Sequence, residues 1–221
     1  GRSQRTLGAA SPALRIHREA VSASQLHVIR RLHPLLARRP FYLGGGTALA
    51  LQLGHRRSVD LDWFCEEPIS DPLRLAAEVQ ESVPFAGGRT ESGTLHGAIS
   101  GVRGSFIEYR YPLLRPLLPL GELGAQAASL EDLACMKLAA IAQRGAKKDF
   151  LDLYALGRQF SLQEMLALYA EKYRTRDWGH LLFALAFFDD ADRERTPRLL
   201  KSPPWPEVKA AIRRWVGQMS R

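Results

Sequence analysis

GGGTALALQLGHRRSVDLDWF, residues 44–64, is the stretch whose reading decides the fold. Just ahead of it and into it, FYLGG (41–45) reads as a short buried strand that ends in glycines. TALALQLG (47–54) reads as a short helix stopped by Gly54. SVDLDWF (58–64) alternates polar and apolar residues and reads as a strand. Successive strand residues point to opposite faces, so Ser58, Asp60 and Asp62 line one face and Val59, Leu61 and Trp63 the other. A Gly-rich turn that opens a helix lets backbone approach a ligand and offers free N–H groups to phosphate. Gly44, Gly45 and Gly46 form such a turn, and Thr47 adds a hydroxyl. Two carboxylates about 7 Å apart along a strand repel each other unless a cation lies between them. Mg²⁺ takes one or two carboxylates together with substrate phosphates. The plain alternatives are an ordinary Gly-rich turn and a solvated strand face with two free aspartates.

Outward from this stretch the pattern divides the chain. Residues 1–10 read as frayed. From about 12 to 38 apolar residues recur at helical spacing with arginines between them, and Pro40 closes the stretch. Pro72 to Ser82 reads as a helix. Strands are expected at about 89–100 and 102–111 around Gly101, and a Pro/Gly-rich connector at 112–128. Ser129 then caps a run of helices expected at 130–143, 147–158, 161–173, 177–189 and 206–218. Strands in the first half and helices in the second argue an α+β fold with a helical C-terminal part. The expected units are a basic helical arm (1–40), a core (41–128) and a helical domain (129–221).

Composition narrows the class. The chain has 221 residues, 46% hydrophobic and 24% charged, which is long enough to bury a core without staples. Collagen, low-complexity chain and disulfide scaffold are excluded. No apolar run of about 18 residues is present, so no transmembrane helix is expected. The first twenty residues have no long apolar stretch of the kind a secretory signal needs. Cys65 and Cys135 sit in apolar runs, so a reducing cytoplasm is expected rather than a disulfide framework. The net charge is +8, distributed as +7 over residues 1–40, −3 over 41–170 and +4 over 171–221. An acidic middle between basic ends suits a metal-binding centre flanked by surfaces for a polyanion. A merely solubilising surface would show the same balance.

The helix pair LEDLACMKLAAIAQRGAKKDFLDLYAL (130–156) carries the remaining chemistry. Lys137 falls on the same stripe as Leu133, Ala134, Ala140 and Ile141, where a lysine must snorkel or meet a negative group. A phosphate or an aspartate would serve, and a methionine there should be tolerated. Asp149 in the first turn of the second helix is also favoured by the helix dipole.

GGGTALALQLGHRRSVDLDWF followed by MKLAAIAQRGAKKDFLDLYAL (136–156) resembles the AbiEii-type nucleotidyltransferase toxins of abortive-infection and type IV toxin–antitoxin systems. These toxins belong to the DNA polymerase β-like nucleotidyltransferase superfamily. The stretches HLLFALAFFDDAD (180–192) and WPEVKAAIRRWV (205–216) are similar to that family as well, so the resemblance covers roughly 40–215. It implies a polymerase β-like core with a mixed sheet followed by helices. It implies that Gly45, Gly46 and Thr47 hold the nucleoside triphosphate, with Ser58 beside the pair. Asp60 and Asp62 would bind Mg²⁺ or Mn²⁺, Lys137 would meet triphosphate, and Asp149 and Asp152 would form the acidic part of a KDxxDL motif. The superfamily also uses a third carboxylate, for which Glu108 is the candidate. The implied reaction is transfer of NMP from an NTP to an acceptor, first of all the 3′ end of tRNA, with a cognate antitoxin as protein partner. Arg30, Arg31, Arg38 and Arg39 of the basic arm, and Arg213 and Arg214, are candidates for RNA phosphate contacts. Transfer to a protein hydroxyl, or a nucleotide- or RNA-binding module without chemistry, are the alternatives.

Overall fold

The computed structural model describes residues 15–91 and 93–219. The fraying expected at 1–10 lies outside them. The helical stretch expected over 12–38 is broken. A 3-10 turn at Arg18–Ala20 precedes α1 (Ala23–Arg31), whose cap is the reciprocal pair Ser22 and Gln25. α2 (His33–Arg38) restarts with Pro34 in its first turn. After β1 (Tyr42–Leu43) comes α3 (Gly45–Leu53), which Gly54 ends in the left-handed region at φ 60°. β2 (Leu61–Cys65) is followed by α4 (Pro72–Ser82), capped by Asp71. Gly93, at φ 70°, splits the strand expected at 89–100 into β3 (Phe85–Glu91) and β4 (Thr94–Ile99). β5 is Val102–Glu108. The expected connector contributes two short strands, β6 (Leu118–Pro119) and β7 (Gln126–Ala127).

Helices make up the rest. α5 (Leu130–Gln143) starts at its Ser129 cap, and α6 (Lys147–Leu156) follows across Gly145. α7 is Leu162–Tyr173. The helix expected at 177–189 is two, α8 (Gly179–Ala186) and α9 (Asp189–Arg193), parted by an extended Phe187. α10 is Trp205–Met219. Cys65 and Cys135 are buried free thiols, and burial pushes them up to about 11 and about 12.

The strands form one mixed sheet in the order β3-β4-β5-β2-β1-β7-β6. β2 runs parallel to β5 and antiparallel to β1. One face of β4 and β5 presents Leu95, Ile99, Val102 and Phe106, all buried. α1 and α4 cover that face, and α2 packs on α4. On the opposite face Phe64 meets Tyr42 and Tyr109, and Tyr109 reaches Tyr173 of α7, so helices cover β1 and β2 there. Over β4 and β5 the same face carries His96, Ala98, Arg103 and Ser105, half-buried or exposed. This uncovered face of the β4–β5 hairpin and the start of α6 come together at Asp60, which pairs with Arg103 of β5 and Lys148 of α6.

The strand expected from Ser58 begins only at Leu61. The backbone of Arg57 and Ser58, ahead of it, is claimed by other partners. Arg57 N–H donates to the Arg198 carbonyl (2.8 Å) and Ser58 N–H to the Ala20 carbonyl (2.9 Å). Val59 is consequently 63% exposed and does not join the apolar face with Leu61 and Trp63.

Candidate active site

Asp60 ends the loop before β2, and Asp62 is the second residue of that strand. The Asp60 carboxylate is paired with Arg103 from β5 (2.9 Å) and Lys148 from α6 (3.6 Å). Asp62 is half-buried, and among the described residues no side chain donates to it or pairs with it. Burial, and then the charge of Asp60, push its carboxyl above the usual range. Lys137, Lys148 and Arg144 pull the other way without cancelling that effect.

The glycine turn is built around Asp62. Gly44 N–H donates to the Asp62 carbonyl (2.9 Å). Gly45 has φ 59°, and a Cβ there would lie 2.9 Å from Asp62 Oδ2. A Cβ on Gly46 would lie 2.4 Å from Arg56 Nη2, and one on Gly44 2.5 Å from the Phe64 ring. The three glycines are thus demanded by protein neighbours as well as by any ligand. The first amides of α3 have no partner within the helix and open beside Asp62. The Thr47 hydroxyl lies 2.8 Å from Ser58 Oγ and also contacts the Asp60 carbonyl. Thr47 and Ser58 are buried, so both hydroxyls brace the loop that carries Asp60.

Behind the pair lies a buried charge cluster. Lys137 Nζ is 3.1 Å from Asp149 Oδ1 and 2.7 Å from Asp152 Oδ2. Of the two groups that could meet this lysine, the aspartates do. Arg144 grips Asp149 through Nε (2.8 Å) and Nη2 (3.0 Å). Arg56 does the same to Asp152 (2.6 and 2.8 Å), and His55 Nε2 adds a bond of 2.7 Å. Burial alone would raise Asp152, yet Arg56 and Lys137 hold it well below the usual carboxylate range. Asp149 is lowered in the same way, against its burial, by Lys137 and Arg144. His55, Arg56, Arg103 and Arg144 are contributors the sequence reading missed. Arg56 stands directly before the aspartate pair in sequence, which is a usable signal. Arg103 has none, because only the β2–β5 register brings it to Asp60.

Two sets of expected residues are not brought to the pair. Glu108 is in register with Cys65 on β5, so it shares the face of Leu61, Trp63 and Cys65, opposite to Asp62. It accepts from Ile69 N–H (3.0 Å) and pairs with Arg110. The β5 residue level with Asp62, on the same face of the sheet, is Ser105, and it is hydrogen-bonded to His96 Nδ1 (2.9 Å). Among the described residues no cluster of three His, Cys, Asp or Glu could hold a metal ion. Arg30 and Arg31 are exposed on α1, Arg38 pairs with Glu81 (3.3 Å), and Arg39 grips Glu78 (2.8 and 2.9 Å). All four lie in the layer across the sheet from Asp62. Arg213 stacks over Phe188, 5.1 Å from the ring centroid.

The fold is shared with known nucleotidyltransferases. The toxin MenT4 of Mycobacterium tuberculosis H37Rv, a nucleotidyltransferase, aligns with a TM-score of 0.56 at 16% identity, over 89% of this chain and 82% of its own. The antibiotic-resistance factor ANT(2'')-Ia aligns with a TM-score of 0.55 at 14% identity, over 69% of this chain and 92% of its own. An uncharacterised protein of Aquifex aeolicus (strain VF5) is 39% identical over 182 residues, 80% of this chain and 87% of its own. The family model described as "Nucleotidyl transferase AbiEii toxin, Type IV TA system" matches residues 29–120 and 100–214. The first span takes in the glycine turn and the carboxylate pair, and the second the helix pair. The chain belongs to the AbiEii nucleotidyltransferase toxin family.

Proposed function

We propose that the chain is a metal-dependent enzyme that moves NMP from an NTP to the 3′ end of tRNA. On this reading it acts in the cytoplasm as the toxin of a type IV toxin–antitoxin or abortive-infection system, with a cognate antitoxin as its partner. The observation that carries the reading is how close the Asp62 carboxylate stands to Gly45 in the turn that opens α3, with no room for a Cβ between them. A cation-seeking group and a phosphate-seeking helix end share one spot.

Asp60 and Asp62 fit Mg²⁺ or Mn²⁺ on their chemistry. Asp62 is a half-buried carboxylate with a raised pKa, a like-charged neighbour and no donor, and a divalent ion supplies the missing charge. Such an ion lowers the pKa of an attacking hydroxyl and neutralises a departing pyrophosphate. With two protein carboxylates only, the remaining ligands come from the triphosphate and water. The residues of the chain bind and orient. The amides of Gly45 and Gly46 receive phosphate oxygens. Arg103 and Lys148, freed from Asp60, turn to the same phosphates. Asp149, paired with Lys137, holds Arg144, while Thr47 and Ser58 fix the Asp60 backbone. Catalysis is then mostly positioning and charge neutralisation.

The test is incubation with labelled NTPs, Mg²⁺ and either total tRNA or total protein. Label on RNA that disappears with EDTA is the expected result. Label on protein moves the acceptor to a side-chain hydroxyl. No label on either sinks the enzymatic reading. As to localisation, no helix among the described residues is long and apolar enough to cross a membrane.

A further inference from the structure

The segment Glu194–Leu199, ERTPRL, is pinned beside the Asp60 loop at both ends. At its start Lys147 N–H meets Glu194 Oε2 (2.9 Å), and Lys147 Nζ reaches the Glu194 carbonyl and Thr196 Oγ1. The next residue, Lys148, pairs with Asp60. At its end Arg198 accepts the Arg57 N–H (2.8 Å), and Leu199 bridges Arg56. The segment therefore runs from the start of α6 to the residues just ahead of Asp60. Arg57, Arg195 and Arg198 are exposed there. Among the described residues none of their side chains makes an ion pair with an acid. The N-terminal arginines differ, since Arg18, Arg38 and Arg39 are tied to Glu122, Glu81 and Glu78. The acids nearest the strip are partly engaged as well. Glu194 is held by Lys147 and Asp192 by Lys209, while Asp189 and Asp190 stay exposed on α9.

We infer that Arg57, Arg195 and Arg198 form the strip on which the sugar–phosphate backbone of the acceptor RNA docks. The inference deepens the proposed function and rests on its RNA acceptor. A strand that brings its terminal hydroxyl to Asp60 carries phosphates towards two carboxylates, which repel them. Screening at physiological salt confines compensation to charges within about 8 Å, so the compensating cations must sit beside the path of the strand itself. Guanidinium forks match phosphate oxygens in pairs, and arginines without an acid partner present those forks already free. Val59, beside Arg57 and 63% exposed, gives an apolar ledge for a ribose or base. Arg30 and Arg31 are also exposed and, among the described residues, without an acid partner, but they lie across the sheet from Asp62.

The test titrates unfractionated tRNA at several salt concentrations against the parent, the triple variant Arg57→Gln/Arg195→Gln/Arg198→Gln, and the pair Arg30→Gln/Arg31→Gln. Each lost phosphate contact lowers the slope of log affinity against log salt by roughly 0.7–0.9. The triple variant is expected to lose about 2–3 of slope and at least about tenfold in affinity at low salt, with the Arg30/Arg31 pair matching the parent. Its thermal shift on adding NTP and Mg²⁺ should equal the parent's, which shows that fold and donor site are intact. Parent and triple-variant curves that are parallel and equally tight overturn the strip while leaving the RNA acceptor standing. A parent that binds no tRNA at low salt and labels protein overturns the RNA acceptor and the strip together.

Discussion

Asp152 accepts from Arg56, His55 and Lys137 inside the protein, and a carboxylate so held has consequences when any member is changed. Removing one partner of a buried ion pair leaves the other charge uncompensated, at about 3–5 kcal/mol. Asp152→Asn should therefore unfold at markedly lower urea at pH 7. The sign of its pH dependence follows from the lowered pKa. Stability from Asp152 is present above the unfolded value of about 3.9 and is lost as pH falls through the lower folded value. The gap between variant and parent should close as pH drops below about 4, and urea midpoints at pH 7 and pH 3 check it. Lys137→Met should also destabilise at pH 7, because this lysine neutralises two buried carboxylates. This reverses the tolerance expected from its place on an apolar stripe. A second pair of variants separates the carboxylates. Asp60→Ala should fold and lose transfer by orders of magnitude. Glu108→Gln should keep transfer, since Glu108 faces Ile69 on the other side of the sheet. A single labelled-NTP assay distinguishes the two, and an inactive, well-folded Glu108→Gln would return Glu108 to the site.

At the scale of elements, the start of α3 is the most constrained piece. Gly45→Ala puts a side chain at φ 59° and within 2.9 Å of Asp62 Oδ2. The left-handed conformation costs about 1–2 kcal/mol in an L-residue, and the clash displaces the carboxylate. The variant should lose most activity with a fall of only a few degrees in Tm, measured by differential scanning fluorimetry beside the labelling assay. Much of this element was legible in the sequence. Gly44 to Gly54 gave turn, helix and stop from local rules alone, as did the Ser129 cap and the α5–α6 pair. What stayed hidden depends on neighbours distant in sequence. β2 starts late because Ala20 and Arg198 claim the backbone of Ser58 and Arg57, and no local pattern carries that. Residue type points to Glu108, whereas register puts Ser105 level with Asp62. Sheet parity decides between them, and parity needs the partner strand.

Across the whole molecule, the sheet half and the helical half meet through ionic groups as well as apolar packing. Arg56 and His55 stand on one side of that junction, with Lys137, Asp149 and Asp152 on the other. α3 packs against both α5 and α6. A cut near Ser129 would leave Asp152 without Arg56, so neither half keeps its buried charges balanced alone. Thermal unfolding should therefore be a single transition with equal calorimetric and van't Hoff enthalpies. Two resolved transitions would show that the halves fold independently. The same long-range closure sets a clock. The His55 carbonyl is met by Ser202, 147 residues further along the chain, and Arg57 by Arg198. Translation at 5–20 residues per second separates the two sides of this contact by roughly 7–30 s. Through that interval the loop bearing Asp60 exists on the ribosome without the 198–202 segment that ties down its start. The nascent chain thus carries its two aspartates well before it carries the segment that ties down the residues ahead of them.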